Sequence, residues 1–206
     1  MSSHNPYLIV EELEKRISEW AGAPHAVAVE SGSAAIFLSL MWTKQQRGNI
    51  GSVRIPKHTY PSVPCSIIHA GGHPIFLDEE WHGEYELWPL NIWDAALRFK
   101  KKMYHGGFQC LSMHIKKRLN VGRGGIILCE DEFQAAWLKR ARFDGRNPIP
   151  LKEDTFYQLG WNMYLEPSNA ARAIQIFETI RNKRLPDLKV EEQGYADLSK
   201  FPIYQQ

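Results

Sequence analysis

The chain has 206 residues, 44% hydrophobic and 23% charged, the proportions of an ordinary folded domain, which exclude collagen-like, disordered and disulfide-scaffold architectures. The net charge of +2 is too balanced to point to nucleic acid or an anionic membrane as partner. Cys65, Cys110 and Cys129 form no CxxC pair, which argues against both a disulfide framework and a structural zinc site and leads us to expect a reducing compartment. Residues 1–7 are polar, with no apolar leader core, and no apolar run approaches the ~18 residues of a membrane span. The expectation is a cytoplasmic protein.

In chain order, residues 5–21 place Leu8, Ile9, Leu13, Ile17 and Trp20 at helical spacing, with acids early in the segment, and predict an amphipathic helix. Residues 25–30 (HAVAVE) read as a short strand that runs through Ser31-Gly32-Ser33 into a buried helix over 34–42. The unit then repeats, with a strand at 52–55, a turn at 56–60, a helix at 61–69 and a strand at 74–77. Such alternation predicts a three-layer α/β/α fold with a mainly parallel sheet. Apolar runs at 90–93, 108–113 and 126–129 add buried strands, the last preceded by Gly122-Arg123-Gly124-Gly125. Residues 131–143 predict a helix that starts on Asp131 and carries Lys139, Arg140 and Arg142 near its end, as the macrodipole favours. A loop over 146–153, a helix over 167–181 and an irregular tail with Pro186 and Pro202 complete the chain.

The segment 110–129 (CLSMHIKKRLNVGRGGIILC) holds the most chemistry. A strand delivers Ser112 and His114, two lysines follow, and a glycine-rich turn leads into the next strand. A lysine held between packed elements loses its proton more easily, because burial disfavours the ammonium, and its amine then attacks an aldehyde to form a Schiff base. The plain alternative is a solvated basic turn of Lys116, Lys117 and Arg118. Pyridoxal phosphate (PLP) needs a lysine, an acid for its pyridine nitrogen, a phosphate cradle and an aromatic face. Candidates exist for each. The amides of Ser33 and Ala34 and the Ser33 hydroxyl stand where a strand turns into a helix, a place for phosphate, or simply an N-cap. Asp94 follows the strand LNIW, at the strand edge where open α/β sheets bind ligands, or caps a turn. Tyr60, in HTYPS, offers a ring to the cofactor or to the core. The eight histidines show no HExxH spacing, so no metal site is expected. Cys110 and Cys129, in strands, are expected to be buried and inert.

The order and wording of these pieces resemble the DegT/StrS-type sugar aminotransferases, fold-type-I PLP enzymes, over most of the chain. NPYLIVEELEKRISEWAGAPHAVAVESGSAA is similar to that family's first helix, strand and phosphate turn, and IPKHTYPSVPCSIIHAGGHPIFLD to its second unit. The resemblance implies an aspartate aminotransferase-like large domain with the small domain reduced or absent: residues 1–181 as the PLP-binding domain and 182–206 as a tail left from the small domain. It implies Lys117 as the Schiff-base lysine, Asp94 as the pyridinium partner, Tyr60 stacked on the ring, and Ser33, Ala34 and Ser112 around the cofactor. In LGWNMYLEPSNAARAIQIF it implies Asn162 reaching the phosphate of a neighbouring subunit, hence a homodimer with shared active sites. The implied activity moves an amino group from an amino acid donor, glutamate, to a carbonyl acceptor, a nucleotide-linked ketosugar. Other PLP carbanion chemistry such as amino acid decarboxylation, and a non-catalytic PLP-binding or assembly role, are the alternatives; a nucleic-acid module built on residues 100–102 and 116–118 is weaker, since these are ordinary loop charges. The chain departs from the family around the pyridinium acid: an acid before it and a polar residue three positions after it are replaced by Trp93 and Leu97.

Overall fold

The computed structural model describes residues 5–205; residues 1–4 and 206, the outer ends of the opening segment and of the tail, lie outside the described residues. The first helix, α1 (Leu8–Ala21), begins later than its periodicity suggests, because the Asn5 side chain accepts the Tyr7 amide at 3.0 Å and holds residues 5–7 in a turn. Val10, Leu13, Ile17 and Ala21 form its buried stripe, and Gly22 ends it in the left-handed conformation at φ 78°. Then follow β1 (His25–Val29), α2 (Gly32–Arg47), β2 (Ser52–Pro56), α3 (Ser62–His69), β3 (His73–Leu77), β4 (Tyr85–Glu86), β5 (Ile92–Asp94), β6 (Phe108–Ser112), β7 (Gly125–Cys129), α4 (Glu132–Ala141) and α5 (Pro167–Ile180). Asp131 caps α4 by accepting the amides of Phe133 and Gln134, a contribution of about 1 kcal/mol.

The expectation of a mainly parallel sheet needs correcting at the level of pairing. In the five-stranded sheet β1-β7-β6-β5-β4 only β5 and β6 are parallel neighbours; β2 and β3 form a separate parallel pair. The antiparallel bridge between Arg54 and Trp88 joins the two sheets edge to edge. Followed across the layer, β1, β2, β3, β5 and β6 all run one way, while β7 is interposed between β1 and β6 and β4 lies between β2 and β5, both running the other way. The reason is connection length. β4 returns to β5 through residues 87–91 alone, and only antiparallel neighbours can be joined so briefly; residues 113–124, between β6 and β7, hold no helix to carry a crossover. The short β4 has no apolar run to announce it.

Helices cover both faces. Val27, Val29, Cys110, Ile127 and Cys129 pack with Leu38, Ile67 and Leu138 from α2, α3 and α4. Their neighbours Ala26, Ala28, Leu111, Ile126 and Leu128 pack with Leu13, Ile17 and Phe177 from α1 and α5. Burial on both faces explains why these strands read as continuous apolar runs. Each such large side chain contributes roughly 1.5–3 kcal/mol. Cys110 and Cys129 are buried free cysteines, as expected, and burial pushes both thiols up to about 12.

The tail returns over the strand ends that β2 and β5 share. The Leu188 amide donates to the Leu97 carbonyl at 2.8 Å, the Leu198 amide to Lys57 at 2.9 Å, and the Arg118 guanidinium to the Pro186 carbonyl at 2.9 Å. Among the described residues no helix is long and apolar enough to cross a membrane.

Candidate active site

Because β1, β2, β5 and β6 share a direction, the residues that follow them collect at one edge of the layer, the edge at which open α/β sheets bind ligands. Ser31–Ser33 follow β1, Tyr60 follows β2, Asp94 ends β5, and Ser112 ends β6. A cavity of about 480 Å³ lies there and is lined by Ser33, Tyr60, Asp94, Ser112 and Lys117 together. Five of the residues singled out in the sequence thus meet in one place.

On the cavity wall, the Ser31 hydroxyl accepts the Ala34 amide at 3.0 Å and caps α2. The Ser33 hydroxyl donates to that of Ser62, at the start of α3, at 2.7 Å. Two helix N-termini, each with partial positive charge, are therefore linked through hydroxyls. Two glycines permit this crowding. A Cβ on Gly32 would lie 2.9 Å from the Ser112 Cβ, and one on Gly125 only 2.3 Å from the Ser31 carbonyl oxygen. The glycine-rich turn therefore brings β7 against the start of α2.

Asp94, also on the lining, is 3% exposed. Its Oδ1 accepts the Ala96 amide at 3.0 Å and its Oδ2 the Tyr85 hydroxyl at 3.1 Å. Burial raises its carboxyl above the ordinary value, and the Ala96 amide, the Tyr85 hydroxyl and Lys117 oppose that rise. Lys117 is held by its own amide donating to the His114 carbonyl at 2.8 Å. Burial lowers its ammonium below the ordinary lysine value; Asp94 pulls it up and neighbouring Lys116 pushes it down. Lys117 is half-buried and Lys116 exposed, so the basic turn divides into one enclosed amine and one solvated charge.

Two of the expected residues stand elsewhere. The Ala34 amide is taken by Ser31, and Ala34 is itself buried. Asn162 is exposed, donating from Nδ2 to Asp144 at 3.0 Å, and is not part of the cavity lining. Other residues at the site were not legible beforehand. Gln193 and Tyr195 reach the lining from the tail, Ser62 hides in a segment read only as helix, and Tyr85 belongs to a two-residue strand. A tyrosine and tryptophan pair, Trp81 and Tyr85, within a stretch otherwise rich in acids was the one available signal.

Residues 4–92 match the DegT/DnrJ/EryC1/StrS aminotransferase family. This stretch of the chain is similar to that family. The family and the solved structures of this fold are PLP-dependent aminotransferases. SpsC, a spore coat polysaccharide biosynthesis protein of Bacillus subtilis (strain 168), is 39% identical over 105 residues, covering 49% of this chain and 26% of its own. A DegT DnrJ EryC1 StrS aminotransferase from Brucella abortus superposes with a TM-score of 0.69 at 19% identity, over 84% of this chain and 59% of that one. NtdA from Bacillus subtilis, solved with bound cofactor PMP, superposes with a TM-score of 0.70 at 17% identity, over 84% of this chain and 48% of that one. The chain spans about a quarter of the curated relative and about half to three-fifths of these solved structures. The matched stretch and the cavity overlap: Ser33 and Tyr60 lie inside residues 4–92, Asp94 just beyond.

Proposed function

We propose that the cavity is a pyridoxal phosphate site and that the chain transfers an amino group from an amino acid, glutamate, to the carbonyl of a nucleotide-linked ketosugar. The observation that carries this reading is the placement of Lys117 and Asp94 on one cavity together with the N-terminus of α2. The residues fit the group: a buried acid facing a cavity, an amine with lowered proton affinity, and a cradle of hydroxyls at a helix start.

When bound, PLP supplies an aldehyde that takes up amino groups and a ring that accepts carbanion electrons. Asp94 holds a proton at the pyridine nitrogen. The Ser33 amide at the start of α2 would bind the phosphate, and the Ser62 hydroxyl, which accepts the Ser33 proton, keeps its own proton to donate there. Tyr60 and Tyr195, edge to face at 6.4 Å, flank the cavity. Ser112 orients from the end of β6. The Lys117 amine would hold the cofactor's aldehyde and, when free, would move the proton at the substrate Cα. Exposed Asn162 is suited to a second copy's phosphate, which supports a homodimer, and residues 182–206, which supply Gln193 and Tyr195 to the lining, stand in for a small domain. The free thiols agree with a cytoplasmic setting. The sugar acceptor is supported by SpsC's role in polysaccharide biosynthesis.

The test is spectroscopic. Purified protein given PLP should develop visible absorbance that changes on adding glutamate and is lost in Lys117→Ala but kept in Lys116→Ala. A band that ignores every amino acid identifies a non-catalytic binder, and release of carbon dioxide identifies a decarboxylase; either overturns the aminotransferase reading.

A further inference from the structure

Asp94 is not flanked by polar neighbours in sequence: Trp93 turns its indole N–H to the Asn91 side chain at 3.2 Å, and Leu97 is fully buried in the apolar core. The polar contacts on its carboxylate come from Ala96 and from Tyr85, nine positions earlier on β4. Tyr85 is 5% exposed, and its hydroxyl touches both Asp94 Oδ2, at 3.1 Å, and the hydroxyl of Thr59, itself 1% exposed. A carboxylate only accepts, so the single Tyr85 proton goes to Asp94, and Thr59 must donate to Tyr85. The result is a buried one-way chain, Thr59 to Tyr85 to Asp94, that ends at the cavity.

The aromatic setting leaves Tyr85 little freedom. Its ring meets Trp81 edge to face at 4.7 Å, the Trp81 indole donates to the His58 carbonyl at 3.0 Å, and Trp81 stacks against Tyr195 of the tail at 6.3 Å. Trp81, itself held by His58 and Tyr195, therefore backs the Tyr85 ring, and the hydroxyl meets the carboxylate.

We propose that Tyr85 is a positioning residue which, relayed by Thr59, keeps Asp94 ionised so that the proton shared with the cofactor stays on the pyridine nitrogen. The inference rests on the PLP reading above and deepens it. A hydrogen bond donated to a carboxylate favours its charged form and makes it a weaker base. In an apolar site such a bond is worth more than in water, because nothing replaces it when it is lost. Without the Tyr85 hydroxyl, burial dominates, Asp94 becomes more basic, and the shared proton moves from ring nitrogen to carboxylate. The other ionisable groups acting on Asp94 or acted on by it are Lys117 from the β6–β7 turn, Cys110 from β6 and Tyr195 from the tail. Lys117 acts in the same sense as Tyr85, whereas Cys110 and Tyr195 are raised by burial and stay neutral.

The experiment has two arms. In cofactor-free protein carrying carboxyl-labelled aspartate, carbon NMR follows the Asp94 titration, which Tyr85→Phe should move to higher pH and Thr59→Val should move less. In protein loaded with PLP labelled at the ring nitrogen, nitrogen NMR should show a protonated nitrogen in the wild type and a shift toward the unprotonated position in Tyr85→Phe. Tyr85→Phe keeps the ring and its packing, so loss of fold does not obscure the result. An Asp94 titration unmoved by Tyr85→Phe overturns the inference, as does an unchanged ring-nitrogen signal in a variant that takes up cofactor. A wild type that takes up no cofactor overturns the PLP reading itself and this inference with it.

Discussion

Lys117 and Gln193 meet across the cavity, Nζ to Oε1 at 3.5 Å, although they stand 76 positions apart in the chain. The tail therefore touches the Lys117 amine directly. Gln193 is oriented by its own amide, which donates to the Lys189 carbonyl at 3.1 Å. A neutral acceptor beside an ammonium favours the charged, unreactive form. Gln193→Ala is expected to speed the uptake of PLP about two- to five-fold at neutral pH, the equivalent of a weak hydrogen bond of ~0.5–1 kcal/mol. Stopped-flow absorbance measures the rate, and an unchanged or slower rate refutes the blocking role.

The lowered proton affinity of Lys117 has a consequence for stability. Its ammonium is held at a cost in the folded state, so the cost is full below the lowered folded-state midpoint and disappears as pH rises through the ordinary lysine value. Lys117→Met should therefore raise the melting temperature at pH 7, with the gain shrinking toward pH ~10.4. Lys116→Met, on the exposed neighbour, should change it little. Thermal melts across this range check the pair.

Asp94 shows the corresponding behaviour with the opposite sign of charge. Its carboxyl is raised, so ionisation costs stability once pH passes through the window between the ordinary aspartate value and the raised one. Asp94→Asn should match the wild type in melting temperature at the acid end of that window and exceed it at pH 7, while losing cofactor affinity by tenfold or more, since one lost charge-assisted hydrogen bond is worth about 1.5–3 kcal/mol. Cofactor titration and melts on the same samples separate the two effects. A variant that binds cofactor as tightly as the wild type removes Asp94 from the site.

How far the sequence revealed the site follows the range of each signal. Ser33, Tyr60, Asp94 and Ser112 were picked out beside apolar strands, where strand period and turn chemistry are local signals, whereas the choice of Lys117 over Lys116 came from the family resemblance; all five reach the cavity. Strand direction was less so, since pairing depends on partners distant in sequence; β7 lies between β1 and β6 with nothing in its own five residues to say so. Tyr85, Gln193 and Tyr195 were missed for the same reason. Their segments carry no periodicity, and their importance comes only from contacts with Asp94 and Lys117 across the fold.

Glu14 extends this point to stability. On α1 it occupies a position that amphipathic patterning would give to an apolar residue, and it is 3% exposed. Its carboxylate accepts the Ala28 amide at 2.9 Å, pairs with Lys139 at 3.2 Å, and bonds the Arg142 guanidinium, which also donates to the Ala28 carbonyl. One buried acid thus fastens α1 to the edge strand β1 and to the segment after α4. Removing one partner from a buried pair leaves the other charge uncompensated, which costs about 3–5 kcal/mol. Arg142 is nearly buried while Lys139 is half-exposed, so the loss falls mainly on Arg142. Glu14→Ala is expected to destabilise the chain by an amount in that range, read from urea unfolding, and Glu14→Gln by less, since it keeps a carbonyl acceptor for the Ala28 amide. Arg142→Met combined with Glu14→Leu should recover much of the loss, because replacing both charges with apolar groups of similar volume leaves neither one stranded. If the double variant is no more stable than Glu14→Ala alone, the charge pair is not what Glu14 contributes.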